Sequence, residues 1–492
     1  MSFFIAILPL LCIFIFLFLL KQTSFRSGIP AFILTVFIVL IYPIYQLEPS
    51  EIVYSSIKGI FISFIAAYVL FFGILLFHLM NNIGAIKDIA SFISQATNDH
   101  LLQVMMMVAG LSPLIESTSG FGIAFMMVAP IFIALGFERM KAALLGLVSL
   151  LAVPWGALAT GTVIGSELGN IPLHILGTGT AFISIPVFVY FMMIALYIAG
   201  GLHAIKTKWK ELFLFSMTFS ASILFFTTFI SVELAGVLAS LTVSGLGLMI
   251  IKFKNNKSVT SRSNEIYTEI NILKIISPYI ILTMFIFVSR MVAPIREFLE
   301  SHIVISFYSY SLPLLYSPGF WLLITCLLTI VIFNIQKKTI ILSFKSTIKQ
   351  WIPFMLTTTT FVSISEVMTE AGMTNLLANT TAVIIGTSFI YISPFIGALG
   401  GFLTGSNTGS NAMFIKLQIE TAEQVGLSPN LIAFSQNASS SHATMASPSR
   451  VMLGASLCGI HSQESKLLKH ISVIALGAII LIMLTTAIYP FF

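Results

Sequence analysis

The 492-residue chain has very little charge. Asp, Glu, Lys and Arg make up 9% of its residues, whereas a typical soluble domain carries about 25%. Hydrophobic residues reach 57%, and the mean hydropathy is +1.02. A surface with so few charges cannot face water over most of its area. The composition therefore excludes an ordinary soluble protein and predicts that most of the surface contacts lipid.

Cysteine and aspartate are also scarce. Cys12, Cys326 and Cys458 lie in or beside apolar stretches and form no CxxC pair, which argues against a disulfide framework and against a metal site. The only aspartates, Asp88 and Asp99, lie in loop-like sequence. Ionisable groups at membrane depth are therefore expected to be mainly glutamates. The sequence has no phosphate-binding loop, which disfavours a nucleotide-driven pump.

The net charge of +6 comes from Lys and Arg residues that concentrate in hydrophilic loops. Basic residues do not interleave with aromatics on a soluble surface, so no nucleic-acid partner is expected. Segments 203–210, 252–274 and 337–349 can all be cytoplasmic at once, which places the N-terminus outside. The first apolar run has no basic start and no cleavage site, and it is predicted to be a retained span.

Apolar stretches long enough to cross a bilayer recur along the whole chain. A hydrocarbon core about 30 Å thick needs roughly 20 apolar residues per helix. Several stretches are shorter or more polar, as expected for re-entrant or broken helices that are sheltered by protein. We predict an all-α polytopic membrane protein with about 12 to 14 crossings. Its expected location is the plasma membrane of a bacterium.

The two halves of the chain share motifs in the same order. Met80 and Gly84 correspond to Met368 and Gly372, each 288 positions later. Similar elements at nearly constant spacing indicate a duplication; the alternative is chance similarity between apolar segments of low complexity. The first spans of the two halves are predicted to run in opposite directions, so the repeat would be inverted, as in many secondary transporters. The predicted divisions are a first repeat over 1–203, linking helices and a cytoplasmic loop over 204–271, and a second repeat over 272–492.

Two segments rich in glycine and hydroxyl groups, 116–122 and 404–411, interrupt the apolar sequence. Irregular backbone at membrane depth must be packed in protein or line a wet cavity. Opening a helix also frees N–H groups that attract anions. We predict that the two segments face each other and bind a carboxylate; the alternative is close packing of small residues between helices. The expected substrate-binding residues are Ser117, Thr118, Ser119, Gly120, Gly122, Thr404, Gly405, Ser406, Asn407, Thr408, Ser410, Asn411, Asn437, Ser439, Ser440 and Arg450.

Four residues are candidates for proton or ion coupling. Glu116 adjoins the first polar segment, and Glu366 and Glu370 are four residues apart on one helical face. His442 lies among serines and could titrate. The alternative for either Glu366 or Glu370 is a solvated position at the interface. Arg450 is the expected positive partner of a substrate carboxylate, with a snorkelling arginine as its alternative.

With these segments placed, the chain resembles the L-lactate permease family. Segment 116–122 is similar to the family's E-G-A-A-G-F-G, and segment 402–412, F-L-T-G-S-N-T-G-S-N-A, is similar to F-L-T-G-S-D-T-S-S-N-A. Segment 445–448, M-A-S-P, resembles M-I-S-P. Two positions depart from the pattern: Asn407 stands where the family has Asp, and Thr444 stands near the family's Lys.

The resemblance implies a secondary active transporter of a short monocarboxylate, L-lactate first, that works by proton symport across the plasma membrane. The alternative is a sodium-coupled carrier of another carboxylate, because segment 406–408 also resembles the Ser-Asn-Thr signature of sodium-coupled dicarboxylate carriers. Such a carrier is not an enzyme and needs no cofactor beyond co-transported H⁺ or Na⁺. Its partners are a small organic anion and the bilayer, and the oligomeric state stays open, with a homodimer as one alternative.

Two other functional classes are less consistent with the sequence. An intramembrane hydrolase would use Ser439 or Ser441 with His442. A nucleophilic hydroxyl must lie within hydrogen-bond reach of its base, and adjacent Ser and His side chains rarely align in this way. A passive channel is the third class, and electrical recording would reveal it.

Overall fold

The computed structural model describes residues 2–120, 122–255, 272–307 and 310–489. The first part of the chain forms α1 (Ser2–Phe14), α2 (Ser24–Ile41), α3 (Pro49–Asn82), α4 (Ala85–Gln95), α5 (His100–Met106), α6 (Ser112–Ser119), α7 (Ile123–Ala134), α8 (Arg139–Val148), α9 (Gly156–Gly169) and α10 (Leu173–Thr207). Two linking helices follow, α11 (Trp209–Phe229) and α12 (Val232–Asn255). The remainder forms α13 (Ile272–Met291), α14 (Ala293–Ser301), β1 (Val304–Phe307), β2 (Tyr310–Pro313), α15 (Pro318–Ile332), α16 (Lys337–Glu370), α17 (Met373–Ile385), α18 (Phe389–Thr404), α19 (Asn407–Gln424), α20 (Pro429–Ala443), α21 (Pro448–Leu457) and α22 (Glu464–Ile488).

Membrane-spanning helices dominate the fold. Among the described residues, nine helices are long and apolar enough to cross a bilayer. The helices α8 and α9 form a further apolar pair that is bent by 57°, and α1, α7 and α15 are shorter apolar helices. The predicted all-α polytopic membrane protein is therefore confirmed. The exact number of crossings and the re-entrant character of the broken helices stay predictions.

Corresponding elements recur in the two parts of the chain. Both α3 and α16 are 34 residues long, and they pack against each other. Each is followed by a glycine with positive φ, Gly84 at 84° and Gly372 at 71°, and then by a further helix. Glycine suits both positions because a side chain disfavours this left-handed backbone. The inverted orientation of the halves and their predicted boundaries stay predictions, and part of the basic loop 252–274 lies outside the described residues.

A short antiparallel hairpin, β1 and β2, is a small addition to the predicted all-helical fold. Val304 pairs with Pro313 and Phe307 with Tyr310. The ring of Phe307 stacks on Tyr54 of α3, with 6.0 Å between the ring centroids. The hairpin therefore packs against one of the two long helices.

The most polar helices lie inside the bundle. Every residue of α6 is buried, and so is every residue of α20 from Leu431 onward. A helix that is polar on several faces cannot lie against lipid. Contacts with α10, α18, α19 and α22 enclose α20. This arrangement places the hydroxyl-rich and amide-rich side chains in the protein interior.

Candidate functional site

Both polar segments contain breaks between helices. The first break lies between α6 and α7, where Gly120 has φ 61° and Gly122 has φ 73°. The second lies between α18 and α19, where Gly405 has φ 65°. Ser406 caps α19, since its Oγ accepts a hydrogen bond of 3.2 Å from the N–H of Gly409. The left-handed backbone at these positions explains why glycine occurs there.

The two breaks meet at a small cavity of about 50 Å³. A water molecule needs about 10–15 Å³ by the same measure, so the cavity has room for roughly four waters. Its wall combines residues of both halves. The lining residues are Glu116, Gly120, Val153, Gly156, Ala157, Thr160, Gly161, Phe354, Gly405, Ser406, Asn407, Thr408 and Arg450.

Glu116 and Arg450 bring opposite charges to this cavity. Their exposed fractions are 1% and 7%, and the two side chains attract each other. Arg450 Nη2 donates a hydrogen bond of 3.1 Å to the carbonyl oxygen of Gly405. Within the described part of the chain, Arg450 Nη1 and Glu116 Oε2 make no hydrogen bond. Each charged group therefore keeps an unused hydrogen-bonding atom inside the protein, which is unusual for buried polar groups.

Glycines make room for these charges. A Cβ atom at Gly156 would lie 3.5 Å from Glu116 Oε1, and one at Gly122 would lie 3.4 Å from Arg450 Nε. The backbone N–H groups of Gly122 and Ala124 face the Glu116 carboxylate. The break after α6 thus supplies both space and donors for the acid.

Several predicted binding residues instead form a closed hydrogen-bond network around Asn437. Asn437 Nδ2 donates to Thr162 Oγ1 at 3.0 Å and to Thr180 Oγ1 at 2.9 Å. Asn437 Oδ1 accepts from Asn407 Nδ2 at 2.9 Å and from Asn411 Nδ2 at 2.8 Å. A side-chain amide has two donors and two acceptor positions, so Asn437 is fully used. It ties α9, α10, α19 and α20 together.

Most of the remaining predicted hydroxyl groups also bond within the protein. Ser117 is an exception: it packs against Gly236, where a Cβ atom would lie only 2.1 Å from Ser117 Oγ, and among the described residues its hydroxyl makes no hydrogen bond. Ser440 Oγ donates to Asn407 Oδ1 at 2.5 Å. The hydroxyls that donate to main-chain carbonyls are those of Thr118, Ser119, Thr404, Ser410 and Ser439. These residues support the cavity, and their predicted contact with a substrate stays untested.

The other predicted coupling residues do not line the cavity. Glu366 lies between Lys58 and Lys416, and Glu370 is exposed at the end of α16. His442 is buried beside Ser184, with 3.3 Å between His442 Nε2 and Ser184 Oγ. Of the four predicted coupling residues, the structure places only Glu116 at the cavity.

Sequence reasoning missed the part of the cavity wall formed by α9 and α16. Ala157, Leu158 and Ala159 adopt left-handed backbone with φ between 39° and 61°. None of the three is a glycine, the residue type that usually indicates such a backbone. Phe354 of α16 also lines the cavity and packs against Ala157. A phenylalanine within a long apolar stretch carries no local signal of such a position. The run Gly156 to Gly161, rich in small residues, was the one available hint.

These features define a multi-pass α-helical membrane protein with a polar, oppositely charged cavity between helix breaks. The sequence profile of the L-lactate permease family matches residues 2–309 and 302–492. The chain therefore belongs to the L-lactate permease family.

Individual relatives agree with this assignment. The chain is 25% identical over 530 residues to glycolate permease GlcA of Escherichia coli (strain K12), which covers 95% of this chain and 91% of that protein. It is 24% identical over 514 residues to the L-lactate permease of the same strain, with coverages of 94% and 91%. The L-lactate permease of Halalkalibacterium halodurans is 22% identical over 514 residues, with coverages of 99% and 96%. The protein is thus a multi-pass bacterial permease and not an enzyme.

Proposed function

We propose that this permease carries a short monocarboxylate, with L-lactate as the first candidate, by proton symport. The observation that supports this function most directly is the small cavity in which Glu116 and Arg450 meet. The printed names of the relatives, L-lactate permease and glycolate permease, point to the same chemical class.

Arg450 is the proposed anchor of the substrate carboxylate. Its guanidinium is fixed by the Gly405 carbonyl and keeps Nη1 unpaired. Arginine binds carboxylates through parallel N–H groups, and such charge-assisted bonds are stronger than neutral ones. The N-terminus of α19 adds backbone N–H groups and the positive end of a helix dipole at Asn407 and Thr408. The hydroxyls of Ser406 and Thr408 are suitable partners for a hydroxyl group of the substrate.

Glu116 is the proposed proton carrier. An ionised Glu116 neutralises Arg450 and competes with an incoming carboxylate for the same cation. Protonation of Glu116 removes this competition, so proton binding and anion binding favour each other, as thermodynamic linkage requires. The loaded site then contains one proton, one substrate anion and the arginine. This reasoning predicts co-transport of one proton with each monocarboxylate.

A reconstituted system tests the proposal. Purified protein in liposomes should accumulate labelled L-lactate when the interior is alkaline, and a protonophore should abolish the accumulation. Accumulation that requires a sodium gradient and is indifferent to pH would instead support the sodium-coupled alternative. No uptake of L-lactate or glycolate under either gradient would contradict the monocarboxylate function.

Two variants separate binding from coupling. Arg450→Met should weaken L-lactate binding at least about tenfold, since a hydrogen bond to a charged group contributes roughly 1.5–3 kcal/mol. Glu116→Gln should retain exchange of labelled for unlabelled lactate but lose accumulation that is driven by pH. Arg296→Met, an exposed arginine of α14, serves as the matched control and should behave like the wild type. Unchanged affinity in Arg450→Met or unchanged accumulation in Glu116→Gln would remove that residue from its proposed role.

A further inference from the structure

A row of alternating charges lies away from the cavity, where α3, α16 and α19 meet. It consists of Lys58, Glu366, Lys416 and Glu420, and we refer to it as the charge row. Lys58 Nζ lies 2.6 Å from Glu366 Oε2, and Lys416 Nζ lies 2.5 Å from Glu366 Oε1. The side chain of Glu366 is only 2% exposed. The buried carboxylate is therefore shared by two lysines from different helices.

Glu420 extends the row on α19. It follows Lys416 by four residues, a spacing that places two side chains on the same face of a helix. The two groups attract each other electrostatically. Glu420 Oε2 is buried and has no hydrogen-bond partner among the residues that the structure describes. Lys416 therefore has a second carboxylate on its own helix, just as Glu366 has a second ammonium group on α3.

The charge row crosses the boundary between two sets of helices. The long helices α3 and α16 pack closely against each other, whereas α19 packs mainly against α9, α17, α18 and α20. The N-terminus of α19 lines the cavity with Asn407 and Thr408. Lys416 lies eight residues beyond Thr408, or about 12 Å along the helix. A movement of α19 away from α3 and α16 would therefore separate Lys416 from Glu366.

We propose that the Glu366–Lys416 contact is a separable ion pair that positions α19 during transport, an inference that rests on the proposed carrier function. When α19 moves away from α16, the charge row divides into two neutral pairs, Lys58 with Glu366 and Lys416 with Glu420. Each buried charge keeps a partner throughout. Without Lys58 the same movement would leave the buried charge of Glu366 unpaired, and without Glu420 it would leave the partly buried charge of Lys416 unpaired. Both are unfavourable at membrane depth. Glu366 is thus a positioning residue in this proposal and not the proton carrier.

The decisive variant is Glu420→Gln. It removes the reserve partner of Lys416 but leaves Glu366 with both lysines, so the arrangement seen here stays intact. Equilibrium binding of labelled L-lactate should stay within about twofold of the wild type, while lactate exchange in liposomes should slow by at least about tenfold. Lys58→Met removes the second partner of Glu366. It should likewise leave the affinity for lactate nearly unchanged and slow lactate exchange. Glu297→Gln makes the same chemical change at an exposed position of α14 and should exchange lactate normally.

A second readout does not depend on the substrate. Thr160→Cys places a thiol on the cavity wall, and replacing the three native cysteines by serine leaves it as the only thiol. Its rate of reaction with a maleimide reports opening of the cavity. Adding Glu420→Gln should slow this reaction at least about tenfold. The proposal would be overturned if Glu420→Gln showed wild-type rates of both lactate exchange and maleimide labelling. If the native protein carries no lactate, a wild-type labelling rate in Glu420→Gln would be sufficient to overturn it.

Discussion

The Asn437 network yields the sharpest prediction about stability. Four side-chain hydrogen bonds between helices meet at this amide. Hydrogen bonds between transmembrane helices contribute about 0.6 kcal/mol each on average, so Asn437→Ala should lower the free energy of unfolding by about 2.4 kcal/mol. Asn407 Nδ2 would lose its acceptor Asn437 Oδ1, whereas Asn411 Nδ2 would still donate to the Gly161 carbonyl, and Thr162 and Thr180 would still donate to main-chain carbonyls. The largest part of the loss should therefore come from Asn407 on α19.

Equilibrium unfolding in mixed micelles measures this loss. The matched control is Ser441→Ala on the same helix, because Ser441 Oγ donates only to the main-chain oxygen of Asn437. The control should lose no more than about 1 kcal/mol, because it removes one hydrogen bond within a helix and no hydrogen bond between helices. An Asn437→Ala protein as stable as this control would refute the scaffold role. If Asn437→Ala had normal stability but no longer bound lactate, the result would instead support the predicted contact between Asn437 and the substrate.

Three further predictions concern the cavity. Gly120→Ala should strongly lower the unfolding temperature in detergent, because position 120 has φ 61° and the new Cβ would lie 2.6 Å from Ala157 Cβ. Gly136→Ala is the control: position 136 has φ 90° but open space around it, so this substitution should cost only the backbone strain of about 1 kcal/mol. Phe354→Ala removes a ring from the wall, so monocarboxylates larger than lactate should compete better for uptake, and an unchanged order of competitors would contradict this. Ser439→Ala should leave the KM for lactate unchanged in liposomes, because Ser439 Oγ donates to the Gln436 carbonyl and packs against Gly397; a raised KM would show substrate contact.

The sequence was informative wherever a local pattern has one physical explanation. Long apolar runs require a bilayer, and the glycines of 116–122 and 404–411 require breaks in helices. The family assignment and the polytopic fold followed from these features. The structure brings Glu116 and Arg450 to one cavity, although their roles in binding and coupling stay predictions.

Side-chain direction could not be predicted in the same way. In a helix that is surrounded by protein, polar residues face every side, so composition does not distinguish the residues at a cavity from those in a network. Asn407 illustrates the difficulty: it lines the cavity, yet its Nδ2 donates to Asn437 and its Oδ1 accepts from Ser440. An aspartate at this position would have no amide donor for Asn437. The hydroxyl of Thr444 also has a partner within the protein, because its Oγ1 donates a hydrogen bond of 2.7 Å to the Ser441 carbonyl.

Long-range ion pairs were also beyond local patterns. Glu366 and Glu370 share a helical face by spacing, but the partners of Glu366 are Lys58 and Lys416, which are far away in sequence. Only the packing of α3, α16 and α19 brings these three residues together. The exposure of Glu370 likewise depends on where α16 ends and not on its spacing from Glu366.

The left-handed turn in α9 has a consequence for how the cavity keeps its shape. Three consecutive residues without glycine, 157–159, hold a backbone that costs roughly 1–2 kcal/mol per residue. The turn persists because neighbours brace it: Ala157 packs with Leu70, Ile74 and Phe354 of the two long helices. If those helices drew apart from α9, the brace would be lost and the backbone could relax. The part of the cavity wall formed by α9 is thus strained. A displacement of the long helices from α9 would open the cavity and relieve this strain at the same time.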